Sequence, residues 1–161
     1  MMLKIYGLLA ALLVLGACSD DAAKTDGAAT GSGGTSSSLS GVGPGSQEDL
    51  AANVGDRVFY ALDSSSLSGD ARATLDRQAA WLARYPQVSI QLAGNCDERG
   101  TTEYNLALGQ RRANAARDYL VARGVSSARI VATSFGKERP TAVGSDEQAY
   151  AQNRNATTSV R

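Results

Sequence analysis

The 161-residue chain balances 16 Lys and Arg against 16 Asp and Glu, with 43% hydrophobic and 20% charged residues, a globular composition that excludes collagen-like and wholly disordered classes. Its length allows one domain with appendages and excludes two large ones. It contains no histidine, which removes imidazole-ligated zinc and every Ser-His or Cys-His catalytic pair, and the balance of residues 51–161, 14 bases against 11 acids, is too even to mark a nucleic-acid surface.

Lys4 precedes an apolar run over residues 5–15, which as a helix spans about 16 Å and is too short for a bilayer core of about 30 Å. It reads as a secretory signal over residues 1–17. Leu15-Gly16-Ala17-Cys18 resembles the bacterial lipobox, which implies cleavage before Cys18 and lipidation of its thiol and new amino group. Several acyl chains hold a protein on a membrane far better than one. Ser19, rather than an aspartate, implies by analogy with enterobacterial sorting the outer membrane, with the domain facing the periplasm. A lipidated Cys18 leaves Cys96 as the odd thiol, expected to be buried as a small hydrophobe.

From 19 to 46 every residue except Lys24, Leu39, Val42 and Pro44 is Ser, Asp, Ala, Thr or Gly, too little apolar surface to offset the entropy of ordering. Residues 18–50 are therefore expected to be a flexible tether, about 30 Å in root-mean-square span and about 110 Å fully extended. Beyond it, residues 51–161 carry alternating strand and helix signals. Residues 57–62 predict a strand. Ser68 is a candidate N-cap for a helix with Leu75, Ala79 and Leu82 at helical spacing, stopped at Tyr85-Pro86. Residues 88–93 alternate as a half-buried strand, and a polar loop covers 94–103. A helix over about 104–123 places Leu106, Gly109, Ala113, Ala116 and Leu120 on one stripe, with Gly124 ending it; small residues there predict close approach to a sheet. Residues 130–135 form a third strand, 146–153 a short helix and 156–160 a last strand. The order β-α-β-α-β-α-β predicts an α/β fold, an α+β two-layer sandwich with two main helices on a mixed sheet.

The densest polar sequence is Gly94-Asn95-Cys96-Asp97-Glu98-Arg99-Gly100-Thr101, leading into the second helix. Leu108 and Arg112 lie four apart on one helical face beside the apolar stripe, so Arg112 is expected to be partly covered. An acid and an arginine in one groove suit a ligand carrying an ammonium and a carboxylate, the guanidinium taking the carboxylate through two parallel hydrogen bonds. The residues alone leave open an internal Asp97-Arg112 ion pair. An enzyme reading finds little: Cys96 has no histidine partner, and adjacent Asp97 and Glu98 are poorly placed to flank a glycosidic bond.

Residues 94–113, with Asp97-Glu98-Arg99-Gly100-Thr101, Tyr104-Asn105 and the spaced set Asn105, Leu108, Gly109, Arg112, Ala113, resemble the signature of OmpA-like peptidoglycan-binding domains, in particular its lipoprotein branch. Further matches are Val58-Phe59 leading to Asp63-Ser64, the turn from Phe135 to Pro140, and Asn153-Arg154. The resemblance implies non-covalent capture of the diaminopimelate side chain of peptidoglycan. Asp97 would hold its ammonium and Arg112 its carboxylate, Asn105 would pin the loop, and Leu108 and the backbone near Asp63 would line the pocket. It also implies docking to TolB and other Tol-system proteins, and a role in envelope integrity and in outer-membrane constriction at division, with no cofactor or metal. A Tol-docking protein with weakened wall binding is the alternative. The chain departs from the family pattern at Asn95-Cys96, where relatives carry His then Ala or Thr, at Ala61-Leu62, and at Asn155, where a second Arg is expected.

Overall fold

The computed structural model describes residues 42–161; the expected signal peptide, Cys18 and the tether up to residue 41 lie outside them. The first helix, α1 (Gln47–Asp49), is capped by the Ser46 hydroxyl, which accepts the Asp49 N–H at 3.1 Å, and runs into a π-helical turn, Leu50–Val54. The carboxylate of Asp49 then accepts the indole N–H of Trp81 at 2.8 Å. Leu50, the last residue of the expected tether, is thereby fully buried in the hydrophobic core. Composition hides this because the partner of Asp49 lies 32 residues along the chain.

Strand β1 (Arg57–Phe59) is shorter than predicted, since the chain leaves the sheet after Tyr60 and turns at Asp63, whose φ is 52°. Ser68 caps α2 (Gly69–Arg84) as expected, accepting the Ala71 N–H at 3.1 Å. Strand β2 (Ile90–Asn95) starts and ends two residues later than its apolar alternation suggested, so Gly94 and Asn95 belong to the sheet. Thr101 caps α3 (Thr102–Ala122), and Gly124 follows in the left-handed region. A 3₁₀ turn, Ser127–Arg129, leads into β3 (Ile130–Gly136); α4 (Glu147–Asn153), capped by Asp146, and β4 (Asn155–Val160) complete the chain.

The strands lie in the order β1-β4-β2-β3, with β2 parallel to β3 and β4 antiparallel to both β1 and β2. The predicted sandwich of two main helices on a mixed sheet is the observed architecture. Leu75 and Leu82 from α2, Ala113, Ala116 and Leu120 from α3, and Ile90 and Leu92 from β2 form its core. The buried face of α3 also carries Asn105, Leu108, Gly109 and Arg112. Leu106, expected on that face, is exposed, because it sits about 100° around the helix from Asn105. Gly109 lies so close to the sheet that a Cβ there would collide with the Ser134 hydroxyl, and one on Gly94 would strike the Gly109 carbonyl. This contact presses the first half of α3 onto the ends of β2 and β3 and sets Arg112 beneath the end of β2.

Candidate functional site

Asp63, Asp97, Asn105, Leu108 and Arg112 line one cleft of about 270 Å³, together with Leu62, Cys96, Arg99, Gly100, Tyr104 and Arg154. The cleft lies where the chain leaving β2 meets the turn after β1 and about the first three turns of α3. All five residues singled out in the sequence are thus brought to one place.

Arg112 is completely buried rather than partly covered. Its Nε donates to the Ser64 carbonyl at 2.8 Å, Nη1 to the Asn95 carbonyl at 2.8 Å and to Cys96 Sγ at 3.4 Å, and Nη2 to the Ala61 carbonyl at 3.1 Å. A guanidinium has five N–H donors, so one Nη2 N–H is left without a partner among the described residues. Two parallel bonds to a ligand carboxylate, as the sequence suggested, are not on offer from this arrangement. The Tyr60 ring lies 5.3 Å from Arg112 Cζ, and its hydroxyl donates to the Arg112 carbonyl at 2.8 Å. Burial pushes the Arg112 guanidinium down from its usual value and the Cys96 thiol up, yet a guanidinium keeps its proton in proteins. The site interior is therefore cationic.

Asp97 makes no ion pair with Arg112. It is 5% exposed, and its carboxylate is held instead by Arg99, with Nη2 2.6 Å from Oδ2 and Nε 3.2 Å from Oδ1, and by Arg154, with Nη1 3.3 Å from Oδ2. Burial works to raise its pKa, but the hydrogen bonds from Arg99 and Arg154 outweigh it and hold the carboxyl below the usual range. Sequence reading passed over both arginines as site residues. Both stand in runs that resemble the family signature, Asp97-Glu98-Arg99-Gly100-Thr101 and Asn153-Arg154, and for Arg99 its position two residues beyond Asp97 is the local signal. Arg154 is recruited from 57 residues away, its Nε on the Tyr60 carbonyl at 3.3 Å and its Nη2 on Glu147 at 2.8 Å.

Asn105 pins the loop, its Nδ2 donating to the Arg99 carbonyl at 2.7 Å. Leu108 supplies a buried apolar wall, and Asp63, exposed on the rim, accepts the Tyr104 hydroxyl. Glu98 points elsewhere, accepting the Tyr150 hydroxyl at 2.9 Å, so it and Asp97 do not form a facing carboxylate pair. Two of the departures from the family pattern meet each other: Asn95 Nδ2 donates to Asn155 Oδ1 at 2.8 Å across β2 and β4. Cys96 is buried, as expected. Among the described residues no group of acids and cysteines is placed to hold a metal ion, and no helix is long and apolar enough to cross a membrane.

A cleft with one buried carboxylate, a buried guanidinium with a spare donor and an apolar wall can hold a small zwitterionic group. Comparison with known proteins gives this geometry a context. A family model described as the OmpA family matches residues 59–154. The peptidoglycan-associated lipoprotein of Rhizobium meliloti (strain 1021) is 59% identical over 115 residues, 71% of this chain and 65% of that protein; the match thus spans slightly less than two thirds of that relative. The protein of the same name from Mesorhizobium japonicum (strain LMG 29417 / CECT 9101 / MAFF 303099) is 47% identical over 152 residues, 94% of this chain and 88% of that one. Among solved structures, the peptidoglycan-associated lipoprotein from Burkholderia pseudomallei is similar with a TM-score of 0.64 and 46% identity, covering 66% of this chain and 90% of that one.

Proposed function

The chain belongs to the OmpA family, and from that premise we propose that it is a non-enzymic envelope lipoprotein that binds peptidoglycan through the diaminopimelate side chain of the stem peptide. In this reading Cys18 carries the lipid that holds it to the outer membrane, residues 19 to 41 provide reach, and the domain grips the wall as part of the Tol-Pal system, docking to TolB.

The observation that carries the reading is the convergence of Asp63, Asp97, Asn105, Leu108 and Arg112 on one cleft. Asp97, buried and ionised, takes the ammonium of the ligand. The carboxylate goes to the remaining Nη2 N–H of Arg112, in a site whose low dielectric strengthens the contact. Leu108 packs on the methylenes between the two charged groups. The pairing of Asn95 with Asn155 favours this reading over a docking protein that no longer binds the wall, because those departures bond to each other, with only Asn95 Oδ1 left unpartnered among the described residues, and leave Asp97 and Arg112 in place.

Calorimetric titration of the unlipidated chain from Ser19 onward with a diaminopimelate-containing stem peptide tests it. Saturable binding is expected, and Asp97→Asn should weaken it by about 2–5 kcal/mol, the cost of removing one member of a desolvated charge pair. A folded parent that does not bind, or an Asp97→Asn variant that binds as tightly, would refute the proposal.

A further inference from the structure

The carboxylate that is to receive the ammonium is already occupied. Arg99 grips Asp97 with Nη2 at 2.6 Å from Oδ2 and Nε at 3.2 Å from Oδ1, the two-pronged arrangement that makes guanidinium-carboxylate pairs strong. The second arginine on Asp97, Arg154, is buried and also tied to the Tyr60 carbonyl. Arg99 differs: its side chain is 40% exposed and springs from the loop itself. It also has somewhere else to go. Its Cζ lies 4.4 Å from the centre of the Tyr150 ring, and its Nη1 lies 3.5 Å from the exposed carboxylate of Glu147. Both contacts coexist with the grip on Asp97, so a swing away gives up one anionic partner and keeps the other, which Arg154 also holds, while the ring stays beneath the guanidinium.

We propose that Arg99 is an internal competitor for the ammonium position on Asp97, setting a threshold that a ligand passes only when it brings a carboxylate as well as an ammonium. The inference rests on the wall-peptide reading. Replacing one cation by another on the same carboxylate gains little, so a ligand with an ammonium alone finds no net advantage. A diaminopimelate end group adds a carboxylate for the spare N–H of Arg112 and crosses the threshold. A lysine end group has the ammonium and lacks the carboxylate, and it stays below. Arg99 sets the affinity threshold through this competition, with no contact to the ligand required, while the ratio between the two ligands is set by the carboxylate contact at Arg112.

The mechanism has a quantitative signature. Releasing Arg99 costs the same whichever ligand displaces it, so removing Arg99 strengthens every ammonium-bearing ligand by a common factor. The test measures binding of two stem peptides, identical except for diaminopimelate or lysine at the branching residue, to the unlipidated parent, to Arg99→Ala and to Arg99→Lys, by NMR titration into the millimolar range. Arg99→Ala is expected to bind both peptides about three- to tenfold tighter, a partly exposed ion pair contributing modestly, with Arg99→Lys in between because it keeps the charge without the fork. In the parent, the Arg99 Nε–H resonance should move when either peptide saturates the site. Equal or weaker binding of both peptides by Arg99→Ala would overturn the competition, and a loss confined to the diaminopimelate peptide would make Arg99 a contact for the ligand carboxylate instead. If neither the parent nor any variant binds either peptide, the wall-peptide reading itself falls.

Discussion

Replacing Arg112 by leucine tests whether this residue is a structural keystone as well as a site residue. The substitution takes donors from three carbonyls, those of Ser64, Asn95 and Ala61, now bonded at 2.8, 2.8 and 3.1 Å. Hydrogen bonds from a charged donor contribute about 1.5–3 kcal/mol each. Ala61 is exposed and Ser64 half-buried, so water replaces the donor there, whereas Asn95 is buried and its carbonyl stays unpaired. Removing a charge from the interior returns part of its desolvation cost, itself several kcal/mol. The net expectation is a loss of about 3 kcal/mol, or roughly 12 °C in melting temperature at about 4 °C per kcal/mol for a domain of this size. Thermal unfolding followed by the fluorescence of Trp81, the single tryptophan, reads this directly. An Arg112→Leu protein melting within about 2 °C of the parent would refute the reasoning and leave Arg112 a ligand contact alone. Because the variant is expected to be destabilised, no Arg112 variant serves as the binding control; Asp97→Asn does, with its folding checked by the same melt because it too weakens the contacts to Arg99 and Arg154.

Two further outcomes follow from the packing and from the titrating groups. Gly109→Ala should cost about 3 kcal/mol, the upper range for overpacking, because the added Cβ meets the Ser134 hydroxyl and the Gly94 carbonyl carbon and oxygen; a urea midpoint unchanged from the parent would show that the helix can lift from the sheet without penalty. With pH, a chain without histidine lacks the one side chain whose unperturbed pKa falls between pH 5 and 8, and burial moves the Cys96 thiol upward, further from that window, so the urea midpoint should be flat there. Asp97, whose folded pKa is lowered, contributes stability that is complete above its unfolded value of about 3.9 and is lost as pH falls through the lower folded value. The parent should therefore weaken below about pH 4 and Asp97→Asn should weaken less; parallel curves for the two would contradict the assignment.

Periodicity made the elements legible. The alternation of Ile90 and Leu92 with their polar neighbours and the Leu106, Gly109, Ala113, Ala116 and Leu120 stripe required only local geometry, and both are buried as read except at Leu106, which is exposed. The short helix at 47–49 was not legible, since it depends on Asp49 reaching Trp81 and on Leu50 entering a core built by distant segments. The same limit divides the site. Asp97 and Arg112 stand out as unlike charges near one strand end, but whether they pair is decided by Arg99, Arg154 and three backbone carbonyls. The Asn95 to Asn155 bond spans 60 residues, and each asparagine read alone looks like a loss of charge rather than half of a matched pair.

The burial of Arg112 also explains how one side chain can serve fold and site together. An unpaired cation in a protein interior is costly unless it is hydrogen-bonded, and here no carboxylate balances it. Carbonyl dipoles do so instead, and they come from the turn after β1 and from the end of β2, the two segments that frame the cleft. Neutralising the charge with an internal acid would stabilise Arg112 equally well but would cancel the field that favours an incoming carboxylate. Satisfying it with dipoles keeps the net positive charge in place, locks both walls of the cleft to α3, and holds one donor in reserve. Asp97 is managed in the opposite way, by charged side chains, buried Arg154 and half-exposed Arg99, and in the proposed competition it is Arg99 that an incoming ammonium displaces while the basic half stays fixed.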